Sequence, residues 1–491
     1  MKAKELLNAI SYEWNQKGSL DISIGKITGD SRKVERGDVF VALRGTAQDG
    51  HLFLGEAMRR GAALLVVENN YKDRSMLPIA SIFAKDSKAA FRSILLSYHK
   101  SSLSQIKLIG VTGTNGKTTS AYLICHLLNQ IANCGMIGTV EYLWGAHRIK
   151  ASNTTPGLET FLELLSAMVC DHVSFCVSEV SSHALDQGRV SGLQFESAIF
   201  TNLTQDHMDY HKSFDHYFES KKKLFTQNPP PRFSIVNSDD SYGKKLLSIL
   251  GSDALSFGRS ESAKFQIQNI RTSLAGSEFD LLDAGTSELF RIKTHLPLLH
   301  NIYNVTGALL AVKVLGFPLN NLIKSLDNFM GVPGRMQPVS GGVDFLVFVD
   351  YAHTPDAFEN VFSSVRQHVK GKLITVFGCG GNRDKLKRPA MGKIAAQYAD
   401  SIFLTNDNPR NESPDEILRD IKQGIAAMSQ GQVKEIQDRR EAIEAALKSA
   451  RPNDAVLILG KGHETEQIVG ECIYEISDQK IVQDYFKSLK V

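Results

Sequence analysis

The sequence has little that would place the protein in a membrane, outside the cell or on a nucleic acid. Its longest apolar runs resemble Ala62–Val67, far shorter than a membrane-spanning helix. The N-terminus, MKAKELLNAISYEWNQKG, lacks an apolar signal-peptide core. The net charge of only +3 over 491 residues gives no global field that would attract nucleic acid or a membrane surface. We therefore expect a cytoplasmic protein that binds no nucleic acid and does not insert into membranes.

Cysteine is also scarce and scattered. The six cysteines include no Cys-x-x-Cys pair, which argues against a zinc site or a disulfide framework. We expect buried free thiols in a reducing compartment.

A repeated unit of apolar strand, polar or Gly-rich turn and helical stretch is typical of α/β proteins. The length predicts about three domains, and polar or Gly/Pro-rich joins near Tyr98–Gln105 and Phe329–Pro338 divide the chain into residues 1–100, 101–332 and 333–491. The predicted strands are Val39–Leu43, Ala63–Glu68, Ile106–Val111, Val173–Val180, Glu196–Asn202, Phe345–Asp350, Leu373–Gly378, Ser401–Asn406 and Ala455–Gly460.

The segment GVTGTNGKTTS, Gly110–Ser120, follows one of these strands and precedes a helical pattern. It departs from the usual phosphate-loop spacing, because Val111 stands where the first Gly belongs. Strand, Gly turn and helix nevertheless form the context of a phosphate loop, with Lys117 as a point charge and Thr118 as a hydroxyl for Mg²⁺. The alternative is a Gly turn before a helix that binds no ligand.

Two further clusters follow strands of the second block. Alternation along its strand turns Glu179 inward, where a carboxylate needs a metal or a charged partner; a salt-bridged Glu is the alternative. Phe200–Phe225 carries three His, three Asp and three adjacent Lys; for the Lys run, the alternative is a solvated surface charge run.

Polar motifs also follow the strands of the third block. Arg383, Arg388 and Arg410 belong to these motifs, and Arg prefers planar partners such as carboxylates and phosphates. Three arginines in strand-end loops indicate a substrate rich in carboxylates, whereas any one of them could be a solvated loop residue. In open parallel sheets, ligands bind beyond the carboxyl ends of the strands, where these motifs lie.

Taken together, the motifs resemble the Mur ligase family, the ATP-dependent amide ligases of peptidoglycan precursor synthesis. The resemblance spans nearly the whole chain. It implies an N-terminal domain for the UDP end of the substrate, a central ATPase domain with a parallel sheet and a C-terminal Rossmann-like domain. The motifs are DSRKVERGDVFVALRG, GVTGTNGKTT, NTTP, EVSSHALDQGRV, NLTQDHMDYH, VPGRMQ, DYAHTPDA, GCGGNRD, DNPR and GKGHE.

The resemblance also implies roles for individual residues. Lys117, Glu179, His207 and Lys221 match the catalytic residues; Lys221 would be carbamylated and would bind Mg²⁺ together with Thr118, Glu179 and His207. Lys222 and Lys223 are its neighbours, so that assignment depends on spacing from Tyr217 and Leu224. The residues that match ATP contacts are Gly113, Thr114, Asn115, Gly116, Lys117, Thr118, Thr119, Asn304, Arg335 and Asp350.

The substrate contacts are implied in the same way. In the UDP-substrate site, the uridine region is matched by Ser31, Thr46, Ala47 and Gln48, and the muramoyl-dipeptide contacts are matched by Asn153, Thr154, Thr155, Ser181, Gln187 and Arg189. Residues matching a meso-diaminopimelate site are Arg383, Asp407, Asn408, Pro409, Arg410, Gly460 and Glu464. DNPR is typical of family members that add meso-diaminopimelate, and lysine-adding members usually lack its Arg.

The implied reaction uses ATP and Mg²⁺ to convert the D-Glu γ-carboxylate of UDP-N-acetylmuramoyl-L-Ala-D-Glu into an acyl phosphate, which the amine of diaminopimelate attacks. We expect a monomer whose partners are these small molecules. The alternatives are a lysine-adding Mur ligase, a folylpolyglutamate synthase, or a regulatory protein that binds ATP without ligating anything.

Overall fold

The computed structural model describes residues 1–45, 48–425 and 432–489, except for the side chain of Asp209. Three large sheets each take their strands from one continuous stretch of the chain. Across these described ranges, no helix has both the length and the apolar character needed to cross a bilayer. All six cysteines are free; four are buried as predicted, but Cys170 and Cys472 are exposed.

The N-terminal sheet has five strands in the order β1-β5-β4-β3-β2. Only β1 is antiparallel to its neighbour. The strands β3, β4 and β5 are almost entirely apolar and buried, and their side chains enter a hydrophobic cluster on each face of the sheet. The elements are α1 (Ala3–Leu7), β1 (Glu13–Trp14), β2 (Ile27–Thr28), β3 (Val39–Val41), α2 (Leu54–Arg59), β4 (Leu64–Glu68), β5 (Ser81–Ala84), α3 (Ser87–Tyr98) and α4 (Lys100–Leu103).

The central sheet has eleven strands in the order β16-β15-β14-β13-β12-β11-β6-β10-β7-β8-β9. Its middle is parallel, and antiparallel strands extend it at both edges. The elements are β6 (Lys107–Thr112), α5 (Lys117–Asn129), β7 (Cys134–Ile137), β8 (Glu141–Trp144), β9 (His147–Lys150), α6 (Leu158–Cys170), β10 (Phe175–Glu179), α7 (Ser182–Asp186), β11 (Phe195–Phe200), α8 (Met208–His211), α9 (Phe214–Thr226), β12 (Phe233–Asn237), α10 (Ser241–Leu250), β13 (Leu255–Gly258), β14 (Phe265–Ser273), β15 (Gly276–Asp283), β16 (Glu288–Thr294), α11 (Leu299–Lys313) and α12 (Leu319–Ser325).

The C-terminal sheet has six strands in the order β17-β18-β22-β19-β20-β21, and a separate hairpin, β23–β24, follows β22. All of the sheet except β17 is parallel. The elements are β17 (Gln337–Pro338), β18 (Leu346–Asp350), α13 (Pro355–Arg366), β19 (Leu373–Phe377), α14 (Lys387–Tyr398), β20 (Ser401–Leu404), α15 (Pro414–Ile425), β21 (Val433–Glu435), α16 (Arg439–Ser449), β22 (Ala455–Leu459), β23 (Glu466–Val469), β24 (Cys472–Glu475) and α17 (Asp478–Ser488).

The predicted α/β class is confirmed, and each of the nine predicted strands overlaps a strand of the structure. The sheets fall within the three predicted blocks, and we propose residues 1–100, 101–332 and 333–491 as the domains. The carboxyl ends of β6, β10 and β11 lie side by side, as do those of β18, β22, β19 and β20. The polar motifs therefore gather at two sheet edges.

Candidate active site

The turn between β6 and α5 is tight enough to require glycine. Gly116 has φ = 85°, and a Cβ at this position would collide with Asn304 Oδ1. A Cβ at Gly113 would collide with Thr201 Oγ1. Since α5 begins at Lys117, the backbone N–H groups of its first turn lie beside this loop. Such free N–H groups form a site for anions, phosphates in particular.

Lys117 adds positive charge to the loop. Its Nζ donates to the carbonyl oxygens of Gly113, at 2.9 Å, and Thr114, at 2.7 Å. Desolvation lowers the pKa of this lysine below its ordinary value. An ammonium held by carbonyl oxygens can exchange them for the oxygens of a bound phosphate.

Glu179 ends β10 and has 0% exposure, as the strand alternation predicted. Its carboxylate accepts from Thr118 Oγ1, at 2.9 Å, and from the backbone N and Oγ1 of Thr139, at 2.8 and 3.0 Å. All three donors are neutral, so the salt-bridged alternative is wrong. A buried carboxylate with neutral donors is a suitable ligand for a cation. Thr139 was not predicted, because it follows β7, a strand that the sequence analysis missed.

Lys221 differs sharply from the two lysines beside it. It is 1% exposed, its Nζ donates to Gly113 O at 2.7 Å, and it lies 4.6 Å from the centre of the Tyr217 ring. Burial lowers its pKa well below the ordinary lysine value. Lys222 instead pairs with a carboxylate on its own helix, and Lys223 Nζ lies 2.8 Å from Asp186 Oδ1. The surface-run alternative therefore describes Lys222 and Lys223, whereas Lys221 reaches the phosphate loop.

His207 lies just before α8, with a left-handed backbone at φ = 55°. Its Nε2 is 3.3 Å from Asp206 Oδ2, and its ring centre is 4.9 Å from that of His183. Desolvation and the nearby cations outweigh Asp206 and lower the pKa of His207 to about 4. The imidazole is thus neutral near pH 7, which is the form that binds metals.

A cavity of about 840 Å³ is lined by Lys117, His207 and Lys221 and extends to residues of the C-terminal domain. Its wall also includes Asp206, His353 and Asp356, which were not predicted as site residues although they lie in the motifs NLTQDHMDYH and DYAHTPDA. The predicted residues that line the cavity are Thr114, Asn115, Gly116, Lys117, Thr118, Thr119, Thr154, Ser181, His207, Lys221, Asn304, Arg335 and Asp350.

Contacts across the cavity connect the two domains. Arg335 Nη2 donates to Thr118 Oγ1 at 3.2 Å, and the guanidinium lies 4.6 Å from the centre of the Tyr351 ring. Asp356 Oδ2 accepts from Asn115 Nδ2, at 2.7 Å, and Thr204 Oγ1, at 3.1 Å. The phosphate loop therefore contacts the first turn of α13 directly.

Asn304 and Asp350 have local partners at the cavity wall. Asn304 Nδ2 donates to Asn301 Oδ1 at 3.0 Å. Asp350 Oδ1 accepts from the backbone N of Ala352 at 2.7 Å. Burial raises the pKa of Asp350, although Arg335 opposes the rise.

The residues predicted to bind the muramoyl peptide form a network beside Glu179. Thr155 Oγ1 donates to Glu179 O at 2.7 Å and accepts from the backbone N of Ser181 at 3.0 Å. Arg189 donates to Thr155 O and to Gln187 Oε1, both at 2.7 Å. Thr154 lies in the same loop, with its Oγ1 3.1 Å from that of Thr139, and the adjacent Asn153 is exposed.

The predicted uridine contacts lie apart from this cavity, in the N-terminal domain. Ser31 is buried and donates to Glu56 Oε2 at 2.7 Å. Gln48 is exposed, and its backbone O accepts from Gly45 N at 2.9 Å. Thr46 and Ala47 lie outside the described residues.

The predicted amino-acid site lies at the carboxyl ends of β19, β20 and β22. Arg410 is half-buried, and its Nη1 donates to Gly381 O at 2.8 Å. Asn408 Nδ2 donates to Glu464 Oε2 at 2.9 Å, and a Cβ on Gly460 would lie 2.7 Å from Asp407 Oδ2. The remaining two predicted residues are Arg383, which is exposed, and Pro409, which is buried. None of the seven lines the 840 Å³ cavity.

Arg388 does not belong to that site, contrary to its grouping with Arg383 and Arg410. It lies in α14 rather than in a loop and is 0% exposed. Its guanidinium binds Glu412 Oε2 and Asp420 Oδ2, both at 2.9 Å. Arg388 is therefore committed to carboxylates of the protein itself.

Three family models match the chain. The Mur ligase middle domain matches residues 111–312, the glutamate ligase domain of Mur ligases matches residues 334–462, and the Mur ligase family catalytic domain matches residues 23–89.

Curated relatives match over the full length. UDP-N-acetylmuramoyl-L-alanyl-D-glutamate–2,6-diaminopimelate ligase 1 of Clostridium acetobutylicum is 38% identical, over 100% of both chains. The ligase of the same printed name, without the numeral, from Geobacillus kaustophilus is also 38% identical, over 98% of this chain and 99% of its own.

Solved structures agree with the sequence relatives. A UDP-N-acetylmuramoyl-L-alanyl-D-glutamate–2,6-diaminopimelate ligase superposes with a TM-score of 0.72 at 30% identity, over 100% of this chain and 99% of the other. MurF from Acinetobacter baumannii shares the fold, with a TM-score of 0.66 at 18% identity over 99% and 98% of the two chains. From its full-length relatives and the three family models, the chain belongs to the Mur ligase family.

Proposed function

We propose that this protein is an ATP-dependent ligase that joins meso-diaminopimelate to the D-Glu γ-carboxylate of UDP-N-acetylmuramoyl-L-Ala-D-Glu, a step of peptidoglycan precursor synthesis. The observation that carries the substrate assignment is the loop Asp407–Arg410. It places a half-buried guanidinium within one strand-end cluster that also contains the Glu464 carboxylate. Such a pair suits an amino acid with an amine at one end and a distal carboxylate at the other. Full-length relatives with this activity in their names support the assignment.

ATP would bind at the turn between β6 and α5. The N–H groups of the first turn of α5 and the Lys117 ammonium would hold phosphate oxygens. Arg335, which already reaches Thr118, would add charge from the C-terminal side. Asn304 and Asp350 would contact the nucleoside, because both line the same cavity.

The side chains around Glu179 fit Mg²⁺. Thr118, Glu179 and a carbamylated Lys221 would offer oxygen ligands, and His207 would offer a neutral imidazole. When bound, Mg²⁺ neutralises charge on the phosphates and on the carboxylate that attacks them. The lowered pKa of Lys221 favours its neutral amine, which is the form that combines with CO₂ and loses a proton to become a carbamate.

The chain's own residues would orient two substitutions in sequence. An oxygen of the D-Glu γ-carboxylate attacks the γ-phosphorus, and ADP leaves. The diaminopimelate amine then attacks the acyl carbon, phosphate leaves, and the amine loses a proton. The network of Thr154, Thr155, Ser181 and Arg189 would hold the muramoyl peptide beside Glu179, so that its carboxylate meets the phosphate in one geometry. Closure of the domains over the cavity would keep water from the acyl phosphate.

Arg410 would determine the selectivity for the amino-acid substrate. A guanidinium can bind the distal carboxylate of diaminopimelate through two parallel hydrogen bonds. L-Lysine has no such carboxylate and would leave a desolvated cation, at a cost of roughly 2–3 kcal/mol. These substrates favour a cytoplasmic location, and a monomer is the assembly we expect.

Product analysis tests the proposal. The purified protein, with ATP and Mg²⁺, is given UDP-N-acetylmuramoyl-L-Ala-D-Glu together with either meso-diaminopimelate or L-lysine. The masses of the products are measured by mass spectrometry. With diaminopimelate, we expect a mass gain of one diaminopimelate less one water, together with ADP and phosphate. If a product forms with lysine and none forms with diaminopimelate, the amino-acid substrate is lysine. ATP binding with no product from either amino acid would contradict the ligase assignment and favour a regulatory protein.

A further inference from the structure

A buried lysine of the GKGHE motif lies at the centre of the amino-acid site, and it has no role in the resemblance or in the mechanism above. Lys461 follows β22 and is 0% exposed. Its Nζ lies 3.3 Å from Asn408 Oδ1, 3.0 Å from Glu464 Oε2 and 2.6 Å from the backbone oxygen of Glu466. A lysine ammonium has three N–H donors and no acceptor. All three donors are thus occupied by the protein, so Lys461 acts through its neighbours rather than on a substrate.

Its first neighbour is Asn408, whose amide it orients. Asn408 Oδ1 accepts from Lys461 Nζ and also from the backbone N of Ile468, at 3.0 Å. Rotating the amide by half a turn would place its NH₂ group against an ammonium and an N–H. The orientation with Nδ2 toward Glu464 is therefore fixed by chemistry. Among the residues that the structure describes, Nδ2 has one hydrogen-bond partner, Glu464 at 2.9 Å, so its second hydrogen remains for a ligand.

The second neighbour is Glu464. Within the described part of the chain, its contacts with Lys461 and Asn408 both end on Oε2. Its Oε1 is then the oxygen that can accept from the amine or ammonium of an amino acid. The Lys461 ammonium, 3.0 Å from Oε2, holds this partly exposed carboxylate in one position.

The third contact connects the same lysine to Arg410. Glu466 begins β23, and Arg410 N donates to Ile468 O at 3.0 Å on that strand. Gly470 N donates back to Arg410 O at 2.7 Å. By holding the first residue of β23, Lys461 fixes the strand that fixes the Arg410 backbone, which has a left-handed φ of 52°.

We propose that Lys461 is a positioning residue that sets the affinity and selectivity for the amino-acid substrate, by holding Asn408, Glu464 and the β23–β24 hairpin in one arrangement. The inference depends on the proposed function, since it concerns the site that would receive diaminopimelate. It predicts that loss of the ammonium weakens the amino-acid site while the ATP site, in another domain, is unchanged.

The test is steady-state kinetics of Lys461→Met, which keeps the chain length and removes the charge. We expect the KM for diaminopimelate to rise roughly ten- to hundredfold and the KM for ATP to stay within about twofold. Selectivity for diaminopimelate over L-lysine should fall as well. Lys461→Arg, which keeps the charge but changes the donor geometry, should show a smaller rise in the same KM.

Lys150→Met is a matched control. Lys150 lies on β9 and is exposed, and its side chain pairs with that of Glu466, the hairpin residue whose backbone oxygen Lys461 binds. Its removal should leave the KM for diaminopimelate within about twofold. A double-mutant cycle with Glu464→Gln adds a second readout: if Lys461 acts through Glu464, the two effects should be clearly less than additive.

The outcomes separate this inference from the proposed function. Wild-type protein without diaminopimelate-dependent ADP release would contradict the proposed function. Active wild type with an unchanged KM for diaminopimelate in Lys461→Met overturns the role of Lys461. Equal rises in the KM values for ATP and diaminopimelate, with a lowered Tm, would mean that the lysine is merely structural. If Lys461→Met does not fold, Lys461→Arg decides by the same KM comparison.

Discussion

The central and C-terminal domains both bury cationic side chains, but they balance the charges differently. In the central domain, Lys117 and Lys221 both donate to Gly113 O, and in the described ranges neither forms a salt bridge. In the C-terminal domain, Arg388 binds two carboxylates, and Arg439 binds both oxygens of Asp478 at 2.7 Å, with both partners 0% exposed.

The difference separates function from structure. A buried ion pair is complete without a ligand and is costly to break from one side. Among the described residues, Lys117 and Lys221 have no carboxylate partner, and the nearby Glu179 accepts from neutral donors. Charge of both signs is therefore left to be matched by phosphate and metal. The unbalanced charges around Lys117 and Lys221 therefore indicate chemistry, and the balanced charges of Arg388 and Arg439 indicate stability.

The largest expected effect comes from Lys221. Lys221→Ala removes the proposed carbamate, and kcat should fall about a thousandfold, or roughly 4 kcal/mol. Lys222→Ala and Lys223→Ala, which remove only partly exposed ion pairs, should stay within about twofold. ADP release measures all three. Similar losses in the three variants would refute the distinction that burial makes among these lysines.

Arg439 should affect stability rather than chemistry. Arg439→Met leaves Asp478 buried without its partner, so the free energy of unfolding should fall by about 3 kcal/mol in urea denaturation. The double variant with Asp478→Leu should regain part of the loss, because the unpaired charge is gone. A stable but inactive Arg439→Met protein would instead assign this arginine to the active site.

The smallest effect is expected at the contact between the domains. Asp356→Asn keeps the size of the side chain but weakens its bonds to Asn115 and Thr204 by about 1 kcal/mol. The KM for ATP should rise about fivefold, as an ATP titration would show. A loss of a hundredfold or more in kcat would mean that Asp356 touches the reacting groups.

Much of the fold was predictable, because the parallel strands are continuous apolar runs. Val39–Val41 and Ala455–Leu459 are buried at every position and stand out in the sequence. Short parallel strands such as β5 and β7 were not predicted. Antiparallel strands were missed because they lack such runs. In Phe265–Ser273, buried and partly exposed residues alternate, so that the strand contains Gln and Asn and lacks an apolar run.

The candidate site was predictable where a motif follows a strand, and less so where partners come from distant segments. The sequence turned Glu179 inward, but Thr139, 40 positions away, holds it through two bonds. Arg388 was wrongly grouped with the substrate-binding arginines, since nothing in its local sequence shows that Glu412 and Asp420 surround it. Long-range pairing of this kind is a property of the packed chain rather than of any motif.

The most direct measurement of the central claim compares kcat/KM for meso-diaminopimelate and L-lysine in the wild type and in Arg410→Ala, by ADP release with UDP-N-acetylmuramoyl-L-Ala-D-Glu present. The account predicts that the wild type prefers diaminopimelate by about 30-fold or more and that the variant loses most of this preference through diaminopimelate alone. Equal use of the two amino acids by the wild type, or an unchanged preference in the variant, would contradict it.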